Sequence, residues 1–554
     1  MNKTMNPHAL NERTFKQDTD WWRHAVVYEV YPRSFQDSNG DGIGDLDGIT
    51  ARLPYLKGLG VDAVWIAPFF RSPMRDFGYD VSDYLDVDPM FGSMRSFETL
   101  VECAHSLGLR VMIDLVLSHS SDQHPWFAAS RADRSNLQAD WYVWADAKPD
   151  GTPPNNWLSI FGGSAWQWDT RREQYYLHNF LASQPDLNFH TPAVQDALLE
   201  VARFWLVRGV DGFRLDTVNF YTHDRQLRNN PPQPAGQFAG AAHRSNPYAW
   251  QRHLHDKTQP ENLVFIERLR ALCDGFPGSV LLGEIGDDQQ YKTLAEYTEG
   301  DRRLQMAYVF RLLERACSAR HLAGVLEEYL RDASRSRVCW SVGNHDVERV
   351  ASRWSAWGGT ARQRAELAAA LLLSLPGGKC IYQGEELGLT EVDVPFEQLR
   401  DPFGITMWPQ KMGRDGCRTP MPWTRAPGAG FTTGTPWLPI ADEHLPLAVR
   451  EQVGDAGSLH AFYVDWLGWH RRERLLRDGA LQLLPPTDQV LAFERVAGGE
   501  SLICVFNLSG EPADYRIDRG AVAVEKRSIG ALLEGGEVRL ERCGMLFARV
   551  GAGR

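Results

Sequence analysis

From residue 21 onward, short runs of β-branched and aromatic residues alternate with stretches whose apolar positions recur every three or four residues. Residues 26–31 read as a strand. Ile49, Leu53, Leu56 and Leu59 then follow at helical spacing, and 64–67 form the next strand. Phe97, Leu100, Val101, Ala104 and Leu107 mark a second helix, and the apolar run 111–117 a third strand. This alternation is the pattern of parallel βα units, in which each crossover helix buries one stripe against the sheet. Five later candidates, at 212–215, 280–283, 306–310, 339–342 and 379–382, raise the strand count to eight, the number that closes a barrel. The expected fold is α/β, a (β/α)8 TIM barrel.

Two stretches break the rhythm. Residues 119–188 are rich in Trp, Pro, Gly and Asn and poor in helical periodicity, too long for a simple loop, and predict an inserted subdomain after strand three. Residues 391–437 form a second irregular insertion after strand eight. From about 479 the pattern turns to hairpins, with 490–496 and 502–507 flanking a Gly498-Gly499 turn. The predicted organisation is a polar leader (1–20), a catalytic barrel in two parts (21–118 and 189–478), the inserted domain (119–188) and a C-terminal all-β sandwich domain (479–554).

The 554 residues, 43% hydrophobic, suffice for a large core. A net charge of −12, from 59 Lys and Arg against 71 Asp and Glu, repels nucleic acid and anionic membranes and leaves a neutral substrate unpenalised. No run reaches the roughly 20 apolar residues of a membrane span, and residues 1–20 lack the apolar stretch of a secretory signal, so a cytoplasmic location is expected. The eight cysteines lie far apart without a CxxC pair and read as buried or free thiols. His119 and His124 are not in an HExxH arrangement, which argues against zinc.

Reactive residues of a parallel barrel stand at the C-terminal ends of its strands. Asp114 and His119 follow strand three, Arg214 and Asp216 strand four; Glu284 closes strand five, and His345 with Asp346 strand seven. One charged strand end is ordinarily a solvated turn or a salt bridge. Four together converge on one opening and raise each other's pKa values, which is what glycoside hydrolysis needs: one carboxylate attacks the anomeric carbon and a protonated one gives its proton to the departing oxygen. The run Asp37, Asn39, Asp41, Ile43, Asp45 alternates oxygen donors with small residues in the manner of a loop around a hard cation. It is not an EF-hand, since Gly48 stands where a bidentate Glu belongs; the alternative is an Asp/Asn/Gly-rich turn without metal.

These segments resemble the signature regions of the α-amylase family of glycoside hydrolases, in its oligo-1,6-glucosidase and α-glucosidase branch. The matching stretches are DLVLSH from Asp114 to His119, GFRLD from Gly212 to Asp216, Gly283-Glu284, and Asn344-His345-Asp346. GYD from Gly78 to Asp80, QPDLN from Gln184 to Asn188 and GRDGCRTPM from Gly413 to Met421 also match. The resemblance implies Asp216 as nucleophile, Arg214 holding it, Glu284 as general acid/base and Asp346 as binder of the 2- and 3-hydroxyls. It places His119 and His345 on ring hydroxyls, Tyr79 beneath the sugar, and Asp76 with Arg414 on the 4-hydroxyl of a terminal glucose. Phe161, Phe180 and Gln184 would line the neighbouring positions, although such aromatics are as often core.

In the calcium region of many α-amylases an Asn precedes the histidine; Ser118 stands there instead. The resemblance assigns a structural Ca2+ or Mg2+ to Asp37, Asn39, Asp41, Asp45 and the Ile43 carbonyl, and no organic cofactor. Thr217, directly after the nucleophile, is similar to the α-1,4-acting members, whereas α-1,6-acting ones carry Val there. The implied activity is release of α-glucose from small α-glucosides such as maltose or sucrose, with transfer to acceptor alcohols. A sucrose isomerase or dedicated glucosyltransferase shares the same residues. A non-catalytic transporter partner does not fit, because the acidic trio is present and no membrane span is predicted.

Overall fold

The computed structural model describes residues 18–551 apart from 240, 241, 243 and 412, so most of the expected leader lies outside the described residues. Eight parallel strands form the barrel: β1 Val26–Val30, β2 Ala63–Ile66, β3 Arg110–Leu115, β4 Gly212–Leu215, β5 Val280–Ile285, β6 Met306–Val309, β7 Cys339–Ser341 and β8 Gly378–Tyr382. Their order is β6-β5-β4-β3-β2-β1-β8-β7, and a parallel bridge between Ala307 and Val338 joins the two ends. The sequence-predicted barrel with a C-terminal β domain is the fold observed.

Alternation along each strand sorts side chains between two cores. Val27, Ala63, Trp65, Met112, Val280, Leu282, Met306 and Tyr308 fill the barrel interior. Their neighbours in the chain, such as Val26, Tyr28, Val64, Ile113 and Leu281, face outward and pack under the helices. A helix follows every strand, beginning with Leu46–Leu59 and Met94–Ser106 and ending with Leu459–Arg472. Local chemistry sets their limits. Asp45 accepts the Gly48 amide at the start of the first helix, and Gly60, at φ 99°, ends it in the left-handed conformation that costs a glycine nothing.

The stretch after β3 forms a helix, Pro125–Ala132, and an antiparallel sheet of Trp144–Ala145, Gln174–Leu177 and Trp166–Asp169. The stretch after β8 is built of short helical turns and loops. A third excursion, residues 216–261 after β4, carries only short 3-10 turns among its described residues, and sequence periodicity left it unmarked. At the C-terminus, Val490–Ala497 pairs with Glu500–Asn507 through the expected glycine turn, and Glu537–Val550 extends the antiparallel sheet. The fully buried Arg495 ties this sheet to the barrel by donating to the carbonyls of Gly479 and Ser374. All eight cysteines are free thiols, and no helix among the described residues is long and apolar enough to cross a membrane.

Candidate active site

A cavity of about 230 Å³ opens at the C-terminal ends of the strands. Asp76, Tyr79, His119, Phe161, Phe180, Asp216, Thr217, Glu284, Asp346 and Arg414, all singled out from sequence, line it. Arg214, Gln184 and His345 stand directly behind its wall, each fully buried.

Arg214 is the centre of the arrangement. As a side chain of β4 it points into the barrel beneath the cavity. Its Nη1 donates to Asp114 at 2.9 Å and Asp216 at 2.6 Å, and Nη2 lies 2.6 Å from Glu284. One guanidinium therefore spans both reactive carboxylates and sets their separation within its own width. Burial raises Glu284 to about 7, with Arg214 opposing and Asp216 and Asp346 adding to the rise. Burial likewise raises Asp216 to about 7 against the pull of Arg214. Both carboxyls therefore change charge near neutrality, and the charge of Asp216 favours the protonated form of Glu284. That is the state in which one carboxylate attacks while the other gives a proton.

Asp346 behaves differently. Burial works against its ionisation, but the contacts with His345, Arg414 and Arg418 outweigh that and hold it well below the usual carboxylate range. Arg418 Nη2 donates to it at 2.8 Å and Arg414 Nη1 at 3.3 Å. A carboxylate kept anionic in this way suits charge stabilisation more than proton transfer.

Arg414 seals one end of the cavity. It donates to Asp76 and to Asp401 at 2.7 Å each, and Gln184 Nε2 reaches the other Asp76 oxygen at 3.2 Å. His119, pushed down to about 4 by burial and so neutral, donates from Nε2 to the Tyr79 carbonyl and accepts at Nδ1 from the Ser118 hydroxyl. His345 was expected on a sugar hydroxyl. Its Nε2 instead meets Tyr79 OH at 2.6 Å and its Nδ1 meets Glu29, so it braces Tyr79 from behind.

Thr217 occupies the left-handed region, φ 40° and ψ 49°, which is costly for a β-branched residue. The turn aims its amide at Glu284 Oε2, 3.0 Å away, and its hydroxyl at Asp216 Oδ2, 3.2 Å away.

Phe161, Phe180, Phe220, Phe310, Phe403 and Tyr248 also line the cavity, and the Arg414 guanidinium lies over the Phe161 ring at 5.3 Å. Phe161 stacks on Phe403 with ring centroids 5.0 Å apart and meets Phe180 edge-on at 5.8 Å. The excursion after β4 supplies Tyr248 and Lys257, whose Nζ donates to Tyr248 OH and to the Gly286 carbonyl. Sequence reasoning missed Lys257, Phe220, Phe310, Phe403, Tyr308, Glu29, Asp401 and Arg418. Tyr308 and Glu29 carried a signal as polar groups inside predicted strands, Phe310 ended the predicted strand 306–310 and Arg418 lay in the 413–421 motif; the others lie in segments without periodicity.

In the 37–45 loop, Asp37, Asn39 and Asp41 each accept the amide two residues ahead at 2.8–2.9 Å. Asp45 accepts Ser38 N and the amide of Gly48. Burial opposes ionisation of Asp37, but donors from Thr432, Gly42, Gly40 and Asn39 hold it below the usual range. The oxygen-only donor set and repeated turn suit a hard cation in kind. In this conformation, however, no group of three His, Cys, Asp or Glu among the described residues is arranged to hold one.

A parallel barrel interrupted after β3, with buried carboxylates gathered on one arginine at its mouth, defines a glycoside hydrolase. Residues 29–479 match the family model of the alpha amylase catalytic domain, and the chain belongs to that family. Among relatives it is 53% identical to a probable alpha-glucosidase of Rhizobium meliloti (strain 1021), over 98% of this chain and 100% of that one. It is 35% identical to an oligo-1,6-glucosidase of Parageobacillus thermoglucosidasius, over 90% and 92% of the two chains. Among solved structures, the alpha-glucosyl transfer enzyme XgtA superposes with a TM-score of 0.93 at 52% identity, covering 96% of this chain and 99% of that one.

Proposed function

We propose that the chain is a retaining, exo-acting α-glucosidase that removes single glucose units from small α-glucosides, α-1,4 bonds preferred, and transfers glucose to acceptor hydroxyls. The observation that carries this reading is the joining of Asp216 and Glu284 through one guanidinium, in a cavity closed at one end by the Asp76–Arg414–Asp401 ion pairs. Asp216 attacks the anomeric carbon while Glu284 protonates the departing oxygen. Glu284, now ionised, then takes a proton from whatever enters the vacated position, and the second inversion restores the α configuration.

On this reading the Asp76–Arg414 pair grips a terminal glucose and excludes a longer chain beyond it. The aromatic lining raises the local population of an acceptor with an apolar face, so sugars and small alcohols compete with water for the glucosyl enzyme. The test is product analysis on maltose, isomaltose and sucrose, alone and with an added alcohol. α-Glucose and α-glucosylated alcohol are expected from maltose. Glucose without any glucosylated alcohol at high acceptor concentration, or isomerised sucrose as the main product, would overturn the reading.

The same reading includes a structural Ca2+ or Mg2+ held by Asp37, Asn39, Asp41, Asp45 and the Ile43 carbonyl. The support is the alternation of oxygen donors and their common turn geometry. The ion would brace the entry to the first helix and takes no part in bond breaking.

A further inference from the structure

We propose that Tyr308 is the positioning residue that fixes which oxygen of Glu284 carries the catalytic proton, and that its hydroxyl sets the alkaline limit of activity. The inference rests on Glu284 being the acid/base and assigns a function to a residue that does not line the cavity.

The argument is a count of donors and lone pairs. Tyr308 sits on β6 beside β5 in the register Glu284 to Tyr308, and is 2% exposed. Arg214 Nε and Nη2 lie 3.2 and 3.0 Å from its hydroxyl oxygen, and Glu284 Oε1 lies 2.9 Å from it. A guanidinium only donates, so the phenol oxygen accepts from Arg214 and its single hydrogen is left for Glu284 Oε1. Burial, with Glu284 and Glu29 nearby and Arg214 opposing, raises the Tyr308 phenol well above its ordinary range, so it keeps that hydrogen throughout the working pH range.

The other oxygen, Oε2, faces the Thr217 amide at 3.0 Å and Arg214 Nη2 at 2.6 Å, both donor-only groups. The Thr217 amide fills one lone pair of that oxygen, and the cationic guanidinium nitrogen, which accepts nothing, stands 2.6 Å away against a proton on the other. The proton of the acid form therefore has one place, the second lone pair of Oε1. In the first half-reaction the Oε1–H bond breaks and the proton passes to the glycosidic oxygen, which also takes the electron pair of its bond to the anomeric carbon. The Asp216 carboxylate supplies the pair that forms the glucosyl ester, and Glu284 is left as the anion.

Glu284 is faced by Arg214 and Asp216 from β4 and its end, Asp114 from β3, Tyr308 from β6, Asp346 from beyond β7 and Tyr221 from the excursion after β4. Among them Tyr308 is the neutral side chain that donates a hydrogen bond to Glu284. Removing its hydroxyl destabilises the Glu284 anion, so the acid form persists to higher pH.

The experiment is the pH dependence of kcat/KM on maltose for wild type and Tyr308→Phe. The alkaline limb should move up by about one pH unit, the size of one hydrogen bond to a charged group. Misplacement of the proton should lower kcat on maltose by roughly tenfold with KM little changed. The loss on p-nitrophenyl α-glucoside should be smaller, because its leaving group needs less protonation. Site-specific 3,5-difluorotyrosine at 308 keeps the shape and strengthens the donor, and should move the limb downward. An alkaline limb unmoved by either replacement overturns the inference. Glu284→Gln is measured in parallel: full activity in that variant would instead remove the acid/base assignment on which the inference stands.

Discussion

Replacing Arg414 by Ala removes a guanidinium that is 7% exposed and binds three carboxylates at once: Asp76 at 2.7 Å, Asp401 at 2.7 and 3.1 Å, and Asp346 at 3.3 Å. Asp346 keeps Arg418, and Asp401 keeps the amides of residues 403 and 414, but Asp76 is left with Gln184 alone. Breaking a buried pair from one side costs about 3–5 kcal/mol, so the melting temperature should fall by several degrees.

The kinetic loss follows from the sugar. A terminal hydroxyl would lose a cationic donor, and Asp76, already raised by burial, would take up a proton and cease to be an anionic acceptor. Two such bonds at about 1.5–2 kcal/mol each correspond to a fall in kcat/KM of roughly 10²–10³. Arg414→Lys keeps the charge without the fork and should fall between. Acid behaviour supplies a third readout. Burial opposes ionisation of Asp401, but Arg414 holds its pKa at about 2, below the usual carboxylate range. A depressed carboxylate contributes stability above its unfolded pKa that is lost as pH falls through the folded one. Here that is about 2 kcal/mol, present above pH ~4 and gone near pH ~2. The wild type should lose this increment on acidification and Arg414→Ala should not, so their melting temperatures should draw together toward low pH. Initial rates on maltose and thermal melts from pH 6 to pH 3 measure all three. A variant within threefold of wild type in kcat/KM, with parallel melting curves, would refute the reasoning.

Asp216→Ala and Glu284→Gln should each lower turnover by several orders of magnitude while circular dichroism stays native, and proton NMR of the wild-type reaction should show α-glucose first. Initial β-glucose would rule out the covalent route. Thr217→Val keeps the branched shape in the left-handed turn and removes only the hydroxyl shared between Asp216 and Ser118; the wild type should prefer maltose to isomaltose, and the variant should move toward isomaltose. Chelator should lower the melting temperature and Asp41→Ala should reproduce most of the loss, since a ligand of the native state alone adds about 2.7 kcal/mol at a hundredfold excess over Kd. A melt indifferent to both would leave the 37–45 loop an ordinary turn.

The barrel was legible in the chain because each of its strands is an apolar run and each crossover helix has to bury one stripe; both requirements are local and periodic. The same holds for Asp216 and Glu284, since a carboxylate that ends an apolar run is conspicuous. Other features were not placed by any local pattern. The excursion after β4 is irregular because it packs over a cavity, so Tyr248 and Lys257 are recognisable only once it is folded down. Tyr308 reads in sequence as one more interior strand residue. It becomes a partner of Glu284 only because β5 and β6 are paired in one register, with Glu284 beside Tyr308. His345 shows the reverse case, a motif residue whose two ring nitrogens are taken by Glu29 and Tyr79, from β1 and beyond β2. Periodicity reports which face of an element is buried. Which groups then share a proton or a hydrogen bond depends on contacts between strands distant in the chain, and those exist only after the barrel has closed.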